Sequence, residues 1–188
     1  MTLPLIVGID YSLTCTGLAI ITKTSTGCKL TTSTVTSKGS RDASLPDRHE
    51  RITQIGKDVL HFAGRADLAV IEGVTPGAKG GSPVDRFAGW WWVVGGLIRR
   101  GVPVAIVAPT SLKLAIAGKG NADKAAVAAA VMGLWPDVEI SSSDVSDAVG
   151  LAHLGAVAWG WDVKTLTRHT EVKWTYWPGE EAADDAAS

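Results

Sequence analysis

Cysteine is scarce in this sequence. Cys15 and Cys28 are the only two, and they lack the spacing of a metal-ligand pair. They lie in a segment that reads as strands and are expected to be reduced thiols, which excludes a disulfide-stapled scaffold and a thiolate metal site. Long apolar runs are missing as well. No stretch approaches the ~18 apolar residues needed to cross a bilayer, and the start MTLPLIVGID has no basic leader region. A cytoplasmic protein without membrane contact is therefore expected. Histidine is sparse too: His49, His61, His153 and His169 are scattered, which argues against an imidazole-rich zinc site. His153 is expected to be structural.

Strong net charge is also absent, the balance being −1 at pH 7 over 188 residues. Its distribution is uneven. Residues 180–188 carry four acids and no base, leaving 18 basic against 15 acidic residues in the preceding 179. Residues 79–124 hold seven basic residues and two acidic ones. A solvated face accounts for such a stretch, and so does a surface that binds a phosphate backbone. Length and composition fit one globular domain, residues 1–179, followed by an acidic tail expected to be disordered.

Apolar runs at 3–9 and 17–22 and a Thr-rich stretch at 29–36 predict a three-stranded antiparallel meander. Helical periodicity follows at 47–62, a buried strand at 68–71, a turn-rich loop at 75–83 and a helix at 84–100. A short β-branched run at 102–108 precedes three helical stretches at 110–117, 122–134 and 145–161. Val172, Trp174 and Tyr176 alternate beyond them, as a further strand or packing arm. The order implies an α/β layer fold with a mixed five-stranded sheet flanked by helices.

Four carboxylates stand out. Asp10 directly follows the first apolar strand and Glu72 the buried one. If those strands are parallel neighbours, both side chains project at the same sheet edge. Asp144 and Asp147 lie three apart at a helix start, a spacing that puts them on one face, although acids there are also common as caps. Clustered carboxylates repel without compensation, whereas Mg²⁺ and Mn²⁺ favour carboxylate oxygens. Two such ions can activate water and stabilise the leaving oxygen of a phosphodiester.

These segments resemble the RuvC family of Holliday-junction resolvases, within the ribonuclease H-like superfamily. GIDYSLTCTGLAI resembles the family's first hairpin with its catalytic aspartate, and VIEGV its glutamate strand. APTSLKLAIAGKGNADKAAV is similar to its Ala-rich helix and ADK-type turn, and DVSDAVGLAH to its C-terminal helix with two aspartates. The resemblance runs from about residue 5 to residue 160. It implies a metal-dependent crossover junction endodeoxyribonuclease in which Asp10, Glu72, Asp144 and Asp147 are catalytic ligands of two Mg²⁺ or Mn²⁺ ions. Lys113, Lys119 and Lys124 match the segment that lies along branched DNA, Lys124 nearest the scissile phosphate. It also implies a homodimer nicking two strands of a four-way junction in DNA recombination and repair.

Family members often carry a base-probing aromatic a few residues beyond the glutamate. Here that stretch is VTPGAKGG, with Phe87 or a nearby tryptophan as substitute. Trp90, Trp91 and Trp92 are consecutive on a predicted helix and turn by about 100° each, so they cannot all face one core. They are assigned to the dimer interface, which this helix contributes to in the family. A thick core around a buried helix is the alternative.

Three rival readings remain. A broader ribonuclease H-like nuclease would cut flaps, forks or RNA:DNA hybrids. A junction-binding protein without catalysis would leave four acids crowded to no purpose. The opening hairpin also resembles that of actin-like ATPases, but those need two such domains.

Overall fold

The fold is that of a computed structural model describing residues 3–74 and 82–178. Most of the turn-rich loop predicted at 75–83 and the whole acidic tail at 180–188 lie outside the described residues. In chain order the elements are β1 (Leu5–Asp10), β2 (Cys15–Thr24), β3 (Gly27–Thr36), α1 (Leu45–Ala63), β4 (Leu68–Glu72) and α2 (Pro83–Arg99). Then follow β5 (Val104–Val107), α3 (Pro109–Ala117), α4 (Lys124–Leu134), α5 (Ser143–Ala158), α6 (Thr167–Thr170) and β6 (Trp174–Tyr176). Among the described residues no helix is long and apolar enough to cross a membrane.

The sheet has six strands in the order β3-β2-β1-β4-β5-β6, not the five expected. The extra one is β6, three residues long, whose Trp174 pairs with Val107 and Tyr176 with Ile106 on the free edge of β5. So short a strand leaves little periodicity to read, and edge pairing with β5 holds it in place. β1 pairs antiparallel with β2 and parallel with β4, and β4 pairs parallel with β5. Both faces are covered, which explains why β1 and β4 are continuous apolar runs.

Side chains alternate across the sheet. Val7, Ile9, Ala69 and Ile71 pack against α1 and α2, while Ile6, Leu68 and Val70 pack on the other face against α3, α4 and α5. By the same alternation Gly8, Asp10 and Glu72 belong to the α5 face. A side chain at Gly8 would collide with the backbone of Ala148 and Ala152, and one at Gly17 with the backbone carbonyl of Asp144. The missing Cβ atoms let α5 settle directly on the sheet, with its first turn against β2.

Residues 159–178 lash the helices of that face together. Arg168 donates from Nε to the carbonyl of Ala115 at 2.8 Å and from Nη2 to that of Ile116 at 3.1 Å, holding the end of α3. His153 on α5 meets His169 on α6 with 3.2 Å between Nε2 and Nδ1, both rings buried, so His153 is structural as expected. Burial, and then His169, push His153 down to about 4, which keeps its ring neutral.

The tryptophan run points three ways. Trp90 is 6% exposed and turned inward, Trp92 is half-buried with its ring over Gly56 of α1, and Trp91 is 61% exposed. Burial takes Trp90 out of the set assigned to an interface, leaves Trp92 partly accessible, and makes Trp91 the one fully exposed of the three.

Gly17→Ala forces α5 off β2. It is expected to lower stability by about 3 kcal/mol and to lower the melting temperature accordingly, whereas Gly133→Ala, in α4 with open space around it, lacks this clash. Equal losses in calorimetry would contradict the packing account.

Candidate active site

Parallel pairing brings the first two carboxylates together. Ile9 lies opposite Ile71, so Asp10 and Glu72 are the next residues on adjacent strands, ~4.8 Å apart in strand spacing. Both are half-buried at the strands' C-terminal ends. Asp144 and Asp147 come from the first two turns of α5, which the glycines of β1 and β2 press against the same edge. The capping explanation for these two acids fails at Asp144, because Ser142 is the N-cap and accepts from the Val145 amide at 3.2 Å. Neither aspartate is needed to close the helix.

All four acids line one cleft of about 1870 Å³, together with Lys113 and Lys124. Lys124 Nζ stands 3.6 Å from Asp144 Oδ1 and donates to Ser143 Oγ at 3.0 Å. Lys113 is half-buried, and it opposes the charge of Glu72 and Asp147. Lys119 sits exposed in the turn between α3 and α4, outside this cleft.

Burial and mutual repulsion make Asp10, Glu72 and Asp147 reluctant to ionise. Asp10 is raised well above the usual carboxylate range by burial first, then by Glu72, Asp147 and Asp144, against the opposing charge of Lys124. Burial and Asp147 push Glu72 up to about 7, and burial pushes Asp147 up to about 6 despite Lys124 and Lys113. Among the described residues no three carboxylate, imidazole or thiolate side chains are arranged around one ready-made metal position. The donor set nevertheless suits a hard cation: all oxygen, four formal negative charges, and too little local positive charge to relieve Asp10.

Two supporting residues were not foreseen from the sequence. Trp90 Nε1 donates to the backbone carbonyl of Glu72 at 2.8 Å, so the inward tryptophan fixes the strand end that presents the acid. Cys15 lies beside Asp144, and burial, followed by a hydrogen bond to that carboxylate, raises its thiol above the usual value. Indole at a strand-facing helix position is the only signal for the first, and nothing in the sequence marks the second.

A family model described as crossover junction endodeoxyribonuclease RuvC matches residues 6–154, a span that includes all four acids. The chain belongs to the RuvC family. A curated RuvC from Rhizobium etli is 31% identical over 152 residues, covering 78% of this chain and 86% of the relative. One from Cupriavidus metallidurans is 31% identical over 154 residues, covering 78% and 80%. The solved Thermus thermophilus RuvC structure shares the fold, with a TM-score of 0.67, 24% identity and coverage of 86% and 99%. A second Thermus thermophilus RuvC structure, in complex with Holliday junction substrate, gives 0.64 and 22%, covering 87% and 99%. RuvC nucleases depend on a divalent metal, and the oxygen-only cluster is consistent with that chemistry.

The raised carboxyls have a thermodynamic consequence. Their folded values lie above their unfolded ones near 4, so the stability they hold is present below pH 4 and lost as pH rises through 6 to 7. Metal-free Glu72→Gln is expected to melt above metal-free wild type at pH 8, with the gap closing towards pH 5. Mg²⁺ should raise the wild-type melting temperature at pH 8. A wild type that is the more stable of the two at pH 8 without metal would contradict this reading.

Proposed function

We propose that the chain is a structure-selective endonuclease that resolves Holliday junctions, with Asp10, Glu72, Asp144 and Asp147 holding two Mg²⁺ or Mn²⁺ ions. One observation carries this reading: four carboxylates from two parallel strand ends and one helix crowd a single cleft, and Asp10, Glu72 and Asp147 among them resist ionisation. When bound, the cations supply Lewis-acid activation of water and stabilise charge on the leaving oxygen. The protein's own groups do the rest. Lys124 and Lys113 place positive charge beside the scissile phosphate, and Lys119 meets the backbone farther along. Trp90 and the Gly17 contact keep the acids on their mark, so that the phosphodiester is attacked in a fixed orientation.

The active unit is a homodimer through the exposed stripe of α2. Val84, Phe87, Trp91 and Ile98 recur at helical spacing on that surface and are all exposed. Such a row of large apolar side chains suits a self-complementary contact between two copies. Two copies would set two clefts on one four-way junction.

The decisive assay maps nicks on a labelled four-way junction. Wild type with Mg²⁺ is expected to make symmetrically paired nicks, and Asp10→Asn to lose cleavage by at least about 100-fold, above the range typical of a metal's outer partners. That variant should still bind the junction. Normal cutting by Asp10→Asn would sink the assignment, and equal rates on junctions, flaps and forks would make the protein a broad nuclease instead. In sedimentation equilibrium, the Trp91→Glu, Ile98→Glu double variant should be a folded monomer where wild type is a dimer. An unchanged dimer would exclude the α2 interface.

A further inference from the structure

The carboxylates and the lysines of α3 and α4 occupy only part of the cleft. At about 1870 Å³ it exceeds the roughly 300–1,000 Å³ of small-molecule sites, and it continues past Asp10 onto the link between β3 and α1. That second wall is anchored at both ends. At its start the Ser37 amide donates to the carbonyl of Thr14 at 2.9 Å, and Arg51 donates to Ser37 Oγ at 2.6 Å and to the carbonyl of Leu13 at 2.5 Å. At its far end Ser44 caps α1 in a reciprocal box with Asp47.

The charges of this wall divide into satisfied and unsatisfied ones. Arg48 forks onto Asp85 at 2.6 and 2.9 Å, tying α1 to the start of α2. Arg51 is engaged as described, and Asp47 is engaged by Ser44. Lys38 and Arg41 are exposed, line the cleft, and make no hydrogen bond or ion pair with another described residue. Asp42 beside them is the acid left to oppose them.

The geometry points to Lys38 and Arg41 as a second phosphate-binding wall, seating the backbone of the DNA strand on the side of the acids away from Lys113 and Lys124. This inference rests on the nuclease reading. A polyanion crossing a nest of carboxylates is repelled at its centre, so cations on both flanks are what hold it in register. Backbone phosphate contacts position a strand without reading its bases. The pair therefore sets affinity and alignment, and leaves the chemical step to the acids.

The test is DNA binding across a salt series in the non-cutting Asp10→Asn background, using four-way, duplex and single-stranded probes. Adding Lys38→Ala and Arg41→Ala is expected to weaken binding by roughly tenfold or more at 0.1 M salt and to flatten the log–log salt slope by about two. A charge-matched control, Lys29→Ala with Lys57→Ala, lies outside the cleft and should do less. In the cutting-competent protein, single-turnover cleavage at saturating DNA should stay near the wild-type rate while the half-saturating DNA concentration rises. Wild-type affinity and slope on all three probes would overturn the inference. Dependence on Lys38 and Arg41 without any preference for four-way DNA would instead count against the junction reading and leave this wall standing.

Discussion

The structure turns on the repulsion among four carboxylates that the backbone does not allow to separate. Asp10 and Glu72 are fixed by the pairing of β1 with β4, and Asp144 and Asp147 by a helix lying on glycine. Parallel register allows no slippage, because a one-residue shift would exchange the two buried faces of the sheet. The acids therefore stay crowded, and the surroundings respond by raising the proton affinity of Asp10, Glu72 and Asp147, by bringing Lys113 and Lys124 close, and by leaving a demand for added positive charge. Divalent-metal dependence in this family follows from that demand.

The two faces of the sheet divide the labour. One carries α3, α4 and α5, where aspartates, lysines and the bracing arm after α5 are assembled. The other carries α1 and α2, whose buried residues make a second core and whose outer surface holds the Trp91 stripe. The arginines of α1 bridge the two functions: Arg51 holds the loop after Asp10, and Arg48 holds the start of α2. Trp90 gives α2 its direct contact with the catalytic edge, through the Glu72 carbonyl.

Much of this was legible in the sequence, and the reasons differ by residue. Asp10 and Glu72 each ended an unbroken apolar run, which marks a strand buried on both faces, and the meander and the long helices announced themselves by periodicity. The pairing of β1 with β4 was not legible, since register depends on contacts 62 residues apart in the chain. Asp144 and Asp147 could pass as caps until Ser142 was seen in that role. The alternation at Trp174 and Tyr176 was visible, but three residues are too few to decide between a strand and a packing arm. Among the tryptophans, helical geometry required divergence, but only tertiary packing could say that Trp90 turns in to hold Glu72. Lys119 looked equal to its neighbours by spacing, and the turn places it outside the cleft. Period-two alternation in the sequence puts Gly8 and Asp10 on one face, whereas the arrival of α5 on that face, and of Glu72 beside Asp10, is set by tertiary packing.

The central claim is that the four carboxylates share divalent cations. Calorimetric titration of Mn²⁺ at pH 6, run in two buffers of different protonation enthalpy, tests it most directly. The account predicts binding that releases protons in wild type, because the raised carboxyls must ionise to become ligands. It also predicts binding much weakened in Asp10→Asn. Mn²⁺ binding of unchanged affinity and stoichiometry in Asp10→Asn would contradict it.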